Sequence, residues 1–150
     1  MSTEAPNRQP ASPRRRAPDP PDVVAGLVND GTAYAVARAA ARHAAHRGSR
    51  VKFVQVAAPG LSREERDDLD RATFRSALRA LKGLQRVPCT FEVVDGDAGP
   101  ALVEHSVGAS LLVVGRDAAE DGRDVARHCQ DHARCDVLTV ATDSPASTSP

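Results

Sequence analysis

Lysine is nearly missing from this chain: of its 20 basic residues only Lys52 and Lys82 are not arginine. Tryptophan is absent, and the aromatic side chains are limited to Tyr34, Phe53, Phe74 and Phe91. That leaves no stacking platform of the kind that holds single-stranded nucleic acid. Excess charge of either sign is missing as well, because 20 acidic residues balance the 20 basic ones. A dedicated nucleic-acid binder would instead carry a basic excess on one face. The apolar runs are a few residues long, against the roughly 20 needed to span a bilayer, and the N-terminus lacks the apolar core of a signal peptide. Cysteine is sparse, with Cys89, Cys129 and Cys135 alone, which reads as reduced thiols in a cytosol rather than a disulfide framework. The expectation is a cytoplasmic protein with no membrane and no nucleic-acid partner.

Large apolar side chains are missing from both ends. After Met1, residues 1–22 hold many prolines and no large apolar residue, so they bury too little surface to offset their ordering entropy and read as a disordered tail. The Arg14-Arg15-Arg16 run within it is offset by Glu4, Asp19 and Asp22 and reads as solvated. Residues 143–150 read as a second tail of the same kind. A single domain over residues 23–142 remains, within a chain of 150 residues that is long enough to bury a core.

Within that domain strand-like and helix-like patterns alternate. VVAGLV (23–28) is a strand-type apolar run, and Thr32 is placed to cap an Ala-rich helix that ends at Arg47, with Gly48 to stop it. VKFVQVA (51–57) is β-branched and is broken by Pro59-Gly60. Ser62 and Glu65 form a capping box that opens a second helix, whose apolar positions Phe74, Ala77, Leu78 and Leu81 fall at helical spacing. CTFEVV (89–94) is a third strand, and Asp97 and Pro100 start a short helix. SLLVVG (110–115) is apolar on both faces, as a central parallel strand must be. A helix over about 123–133 shows Val125, Cys129, His132 and Ala133 on one face, and DVLTVA (136–141) closes the series. Strands separated by helices predict βαβ units and a parallel sheet covered on both sides. The ligand site of such a sheet lies beyond the carboxyl ends of its strands, where strand order reverses.

Most chemical constellations carry little. His128, Cys129, His132 and Cys135 have suggestive zinc spacing, but Cys129 lies on the apolar face and the four do not converge as tetrahedral zinc requires. No metal site is expected. His43 and His46 read as a solvated helix face, and Cys89 reads as a small core residue rather than a nucleophile. The acidic positions Glu64, Glu65, Asp67, Asp68 and Asp70, interleaved with arginines, read as a solvated helix face with i, i+4 pairs. No catalytic set stands out, so the chain is not expected to be an enzyme.

VVDGDAGPALVEHSVGASLLVVGR (93–116) resembles the universal stress protein family, with Gly96, Asp97, Leu102 and Leu111 to Gly115 in matching places. HARCDVLTV (132–140) is similar to that family's closing block, with Asp136 where proline is usual. The resemblance spans roughly residues 22–141. It implies an α/β fold, a single doubly wound five-stranded parallel sheet of order 3-2-1-4-5, adenine nucleotide alpha hydrolase-like. It also implies a homodimer formed through the last strand, and in many members a bound ATP.

The ATP-contacting aspartate of such members aligns with Val28, although Asp30-Gly31-Thr32 resembles the same motif two residues later. Their glycine-rich phosphate loop, which brings backbone N–H groups and a helix N-terminus to the phosphates, corresponds here to GRDAAEDGRDVARHC (115–129). Gly122 is the only glycine in it after Gly115, and Asp117, Glu120, Asp121 and Asp124 crowd carboxylates where a triphosphate would sit. Two like charges about 5 Å apart repel by roughly 1 kcal/mol even in water. Asn29, Asp30, Gly115, Arg116, Gly122 and Arg123 are therefore the candidate cleft. The expected function is a regulatory or interaction module of the stress response that takes no ATP. The alternative is a nucleotide-binding regulator with a divergent cleft, in which Arg116 and Arg123 clamp a monophosphate or smaller anion.

Overall fold

The all-apolar run VVAGLV forms β1 (Val23–Val28), which is buried along its whole length. In the computed structural model, residues 20–28, 32–57, 60–84, 86–116 and 124–141 are described. They form β1, α1 (Ala33–Arg47), β2 (Val51–Val56), α2 (Arg63–Ala80), β3 (Cys89–Val94), α3 (Ala98–His105), β4 (Leu111–Gly115), α4 (Val125–His132) and β5 (Asp136–Val140). The five strands make one parallel sheet of order β3-β2-β1-β4-β5. The doubly wound architecture expected from the alternation is the one observed, with β1 and β4 adjacent at its centre. Most of both terminal segments lies outside the described residues. Asp22, at the start of the domain, pairs with Arg50 at 3.2 Å and accepts a backbone hydrogen bond from Ser110 at 2.8 Å.

Alternation along the strands divides the core into two layers. Val23, Ala25, Leu27, Val51, Phe53 and Val113 face α1 and α2, whereas Val24, Val54, Val56, Leu112 and Val114 face α3 and α4. The first layer is built on small residues: Val36, Ala37, Ala40, Ala41 and Ala44 are the buried face of α1, and Thr73, Ala77 and Ala80 that of α2. Helix ends follow local chemistry. Gly48 takes the left-handed conformation (φ 69°) that ends α1. Ser62 and Glu65 make both bonds of the capping box, at 3.1 and 2.9 Å. Arg38 of α1 donates to the carbonyls of Ala80 and Lys82 at 2.8 and 2.9 Å, so α1 satisfies the open end of α2. Arg79 returns across the same interface, lying 4.5 Å from the centre of the Tyr34 ring.

Three expectations are corrected by the packing. Phe74 and Leu78 share a helical face with Ala77 but are 45% and 50% exposed, because Thr73, Ala77 and Ala80 form the buried stripe. That small-residue stripe draws α2 toward α1 and rolls the larger side chains outward, over the edge of β3. Cys89 is exposed rather than a core residue, since it begins an edge strand whose burial is slight throughout. His132 is exposed, and the buried face of α4 is carried by Ala126 and Cys129 instead.

Gly26 holds the second layer in place. A β-carbon there would stand 2.6 Å from one methyl of Leu102 and 3.2 Å from Val114, and Leu102 is itself fully buried. The missing side chain is thus the seat of α3 on β1. Gly26→Ala is expected to lower stability by about 1–3 kcal/mol through overpacking. Urea unfolding would show this as a lower midpoint at unchanged slope.

Candidate functional site

Strand order reverses between β1 and β4. Their register runs only from Val23↔Leu111 to Ala25↔Val113, while β1 continues to Val28 and β4 to Gly115. The two strands part toward their carboxyl ends, which opens the crevice where ligands of doubly wound sheets bind. Of the candidate residues the structure places Gly115 and Arg116 at this mouth. Asn29, Asp30, Gly122 and Arg123 lie outside the described residues, as do the carboxylates Asp117, Glu120 and Asp121.

The described walls of the crevice are uncharged. Val28 ends β1 and is buried among Val56, Leu112 and Val114. Thr32 stands at the N-terminus of α1 and is 3% exposed. It holds the N-cap position expected of it, yet its side chain makes no capping hydrogen bond. The side chain is turned onto Gly115 instead: a β-carbon at Gly115 would meet Thr32 Oγ1 at 2.5 Å and Cβ at 2.8 Å. Gly115 is therefore a place of close approach between β4 and the start of α1. Arg116 follows it, exposed, with its N–H bonded to the Val140 carbonyl at 2.8 Å, so the backbone there belongs to the β4–β5 ladder.

Two further hollows flank the sheet. One, of about 270 Å³, lies beyond the carboxyl ends of β2 and β3 and is lined by Ala57, Leu61, Arg66, Asp95 and Asp97. Arg66 and Asp95 are directly ion-paired across it. The sequence reading missed this wall, although Asp95-Gly96-Asp97 sits where β3 turns into α3. The other hollow, of about 250 Å³, is at the opposite end of the sheet beside Asp22, Lys52 and His105. There Glu92 lies 3.7 Å from Lys52 Nζ and 3.5 Å from His105 Nδ1. Both ion networks are half-exposed and solvated, so each contributes little to stability.

The histidine–cysteine constellation is split by its helix. Cys129 is buried under the sheet, while the His128 and His132 rings stack 4.3 Å apart on the outer side. His132 Nδ1 is 3.0 Å from the His128 carbonyl oxygen, and the His128 ring closes over Gly99. Among the described residues no three of His, Cys, Asp and Glu are grouped to hold a metal ion, and no helix is long and apolar enough to cross a membrane. Burial pushes the Cys135 thiol up, with a smaller upward push from Asp136 and a hydrogen bond from Ser106 acting against them. That keeps Cys135 protonated and weakly nucleophilic.

No family profile and no curated protein matches the sequence. Solved structures do match the fold. A universal stress protein in complex with cAMP superimposes with a TM-score of 0.61 at 22% identity, covering 83% of this chain and 100% of that one. A universal stress protein from Archaeoglobus fulgidus in complex with dAMP gives 0.60 at 24% identity, over 81% and 97% of the two chains. A member of the family from Burkholderia pseudomallei gives 0.51 at 26% identity, over 79% and 94%. The chain has the fold these proteins share, with the same sheet order that the sequence resemblance implied.

The Thr32–Gly115 contact sets the shape of the crevice and can be tested by a double-mutant cycle. Gly115→Ala is expected to cost about 1–3 kcal/mol through overpacking, and much of that loss should be recovered in Thr32→Gly/Gly115→Ala, which removes the Thr32 Cβ and Oγ1 that the new methyl would meet. Additive effects of the two changes in urea unfolding would show that the residues do not touch.

Proposed function

We propose that this chain is a universal stress protein that acts as a non-enzymatic regulatory or interaction module of the stress response, and that its cleft does not take ATP. The observation that carries this reading lies in the described walls of the crevice: Val28 ends β1 without a hydrogen-bonding side chain, and Thr32 packs onto Gly115. A missing charge-assisted hydrogen bond costs about 1.5–3 kcal/mol, or roughly ten- to a hundred-fold in affinity. The sequence from Gly115 to Asp124 adds Asp117, Glu120, Asp121 and Asp124 against a negative ligand. These losses act on different parts of a nucleotide and should roughly add.

A second reading is favoured by Arg116, exposed at the crevice mouth, and by fold neighbours solved with cAMP and dAMP. In that reading Arg116 and Arg123 hold a nucleoside monophosphate in a divergent cleft. Calorimetry of the full chain with ATP, AMP, cAMP and phosphate separates the two. The expected result is no ATP heat at millimolar ligand. Micromolar AMP or cAMP binding that is lost in Arg123→Ala would establish the second reading instead.

Assembly follows from the outer edge of the sheet. Val137, Leu138 and Val140 are half-buried in the single chain. The Val140 carbonyl is turned toward β4 by its bond to Arg116, so by strand alternation the N–H of Thr139 points outward. No described strand pairs with this edge, an edge of this kind recruits a second strand, and the proposed partner is the same strand of a second copy. Thr139→Pro removes that outward donor and leaves the β4 ladder intact. Light scattering at micromolar concentration is expected to show a dimer for the parent and a monomer for Thr139→Pro. A monomeric parent would refute the arrangement.

A further inference from the structure

The other edge of the sheet carries a second, differently built surface. Phe74, Leu78 and Val93 are three of the four large apolar side chains exposed among the described residues. They form one patch. The Phe74 ring meets Phe91 edge-on with centroids 5.0 Å apart, and Leu78 lies one helical turn from Phe74. Val93 is two residues beyond Phe91 on the same face of β3. The register confirms the facing: Val93 lies beside Gln55, whose amide donates to Asp70 of α2 at 2.7 Å. Cys89, also exposed, begins this row.

The backbone beneath the patch is open. Pro88 and Val94 present their carbonyls to β2, accepting from Val51 and Ala57 at 2.9 and 3.0 Å. Cys89, Phe91 and Val93 therefore turn their N–H and C=O groups to the outer edge, where no described strand pairs with them. An unpaired edge beside apolar side chains is a template for strand addition.

We propose that β3 is a self-association surface, on which β3 of a second copy pairs antiparallel about a two-fold axis at Phe91. Charge selects the register and permits a second copy as the partner. The edge groups are on odd-numbered residues, so a ladder forms only where odd positions face odd positions. Two registers then overlap five of the six strand residues. One centres on Glu92 and sets two carboxylates directly opposite each other, which is destabilising. The other centres on Phe91 and sets Glu92 opposite Thr90, Cys89 opposite Val93, and Phe91 against its own copy. In that register all the exposed apolar side chains of the patch gather on one face, beneath the two α2 helices. Helix α2 is itself neutral, with Arg63, Arg66, Arg71, Arg75 and Arg79 against Glu64, Glu65, Asp67, Asp68 and Asp70, so two copies approach without net repulsion. This surface is separate from the β5 edge, and the two together would link copies into a longer array.

The register is read by a disulfide. Opposed residues of a hydrogen-bonded antiparallel pair have Cα atoms about 5.5 Å apart, within the roughly 4.4–6.8 Å that a disulfide spans. Full-length Val93→Cys, in a Thr139→Pro background that disables the β5 edge, is oxidised with copper phenanthroline and mapped by mass spectrometry under non-reducing conditions. The expected product is a covalent dimer linked between Cys89 of one copy and position 93 of the other, absent once Cys89→Ser is added. An uncrosslinked chain with native circular dichroism, as when a segment of the same chain or another protein covers this edge, overturns the proposal. A dimer formed by Glu92→Cys through position 92 overturns the register. Sedimentation equilibrium of Leu78→Arg in the same background supplies an independent readout, with at least a tenfold weaker association expected and an unchanged constant counting against the surface.

Discussion

The seating of Leu102 over Gly26 is the contact on which the remaining architecture depends. A central parallel strand must be apolar on both faces because helices cover both, and β1 meets this with six buried residues. On the α1 side, alanines and Val36 let the helix lie close to the strand. On the other side one glycine admits a whole leucine side chain, and α3 with its partner α4 is positioned by that contact. The two layers are thus built by opposite means, small helix residues against bulky strand residues on one side, and a bulky helix residue against a bare strand position on the other.

Close approach recurs where the chemistry would be. Gly115 lacks a side chain, and the space is taken by Thr32 from the start of α1. The parting of β1 and β4 after Ala25↔Val113 makes a crevice, but its described walls offer a methyl-bearing hydroxyl and a valine rather than charge. Among the described residues, charge near the strand ends is held by Arg116 at the crevice mouth and, to one side, by the Arg66–Asp95 pair beyond β2 and β3. A doubly wound sheet always provides the crevice; what the crevice recognises depends on a few residues at its rim.

The two sheet edges are dressed differently. β5 carries half-buried aliphatic residues and follows an α4 whose buried face is only Ala126 and Cys129. β3 is flanked by α2, which leans onto α1 and leaves Phe74, Leu78 and Val93 uncovered. Both conditions arise from helices too narrow to cover an outer strand, and an edge left in that state is resolved by pairing, by charge or by cover. Here Glu92 is the one charged side chain along β3, and it is already engaged by Lys52 and His105 on the opposite face.

The order and type of every element were legible in the sequence, because each rests on local rules: apolar runs for strands, the Ser62–Glu65 box and Gly48 for helix ends, and a switch from β-branched to Ala-rich segments between them. Strand order and the family resemblance were legible too, through residues 93–116 and 132–140. Which side of a helix is buried was not. Helical phase groups Phe74 with Ala77, but only the neighbouring helix decides that the small residues go inward and the phenylalanine out. The same holds for Cys89, a core-type residue placed on an edge strand, and for His132, in phase with a buried face yet stacked on His128 in solvent. Thr32 shows the limit most directly, since its sequence position marks a helix cap while its contact is with Gly115, 83 positions further along the chain. Local chemistry determines what each segment becomes; only packing between distant segments decides which of its faces is left to act.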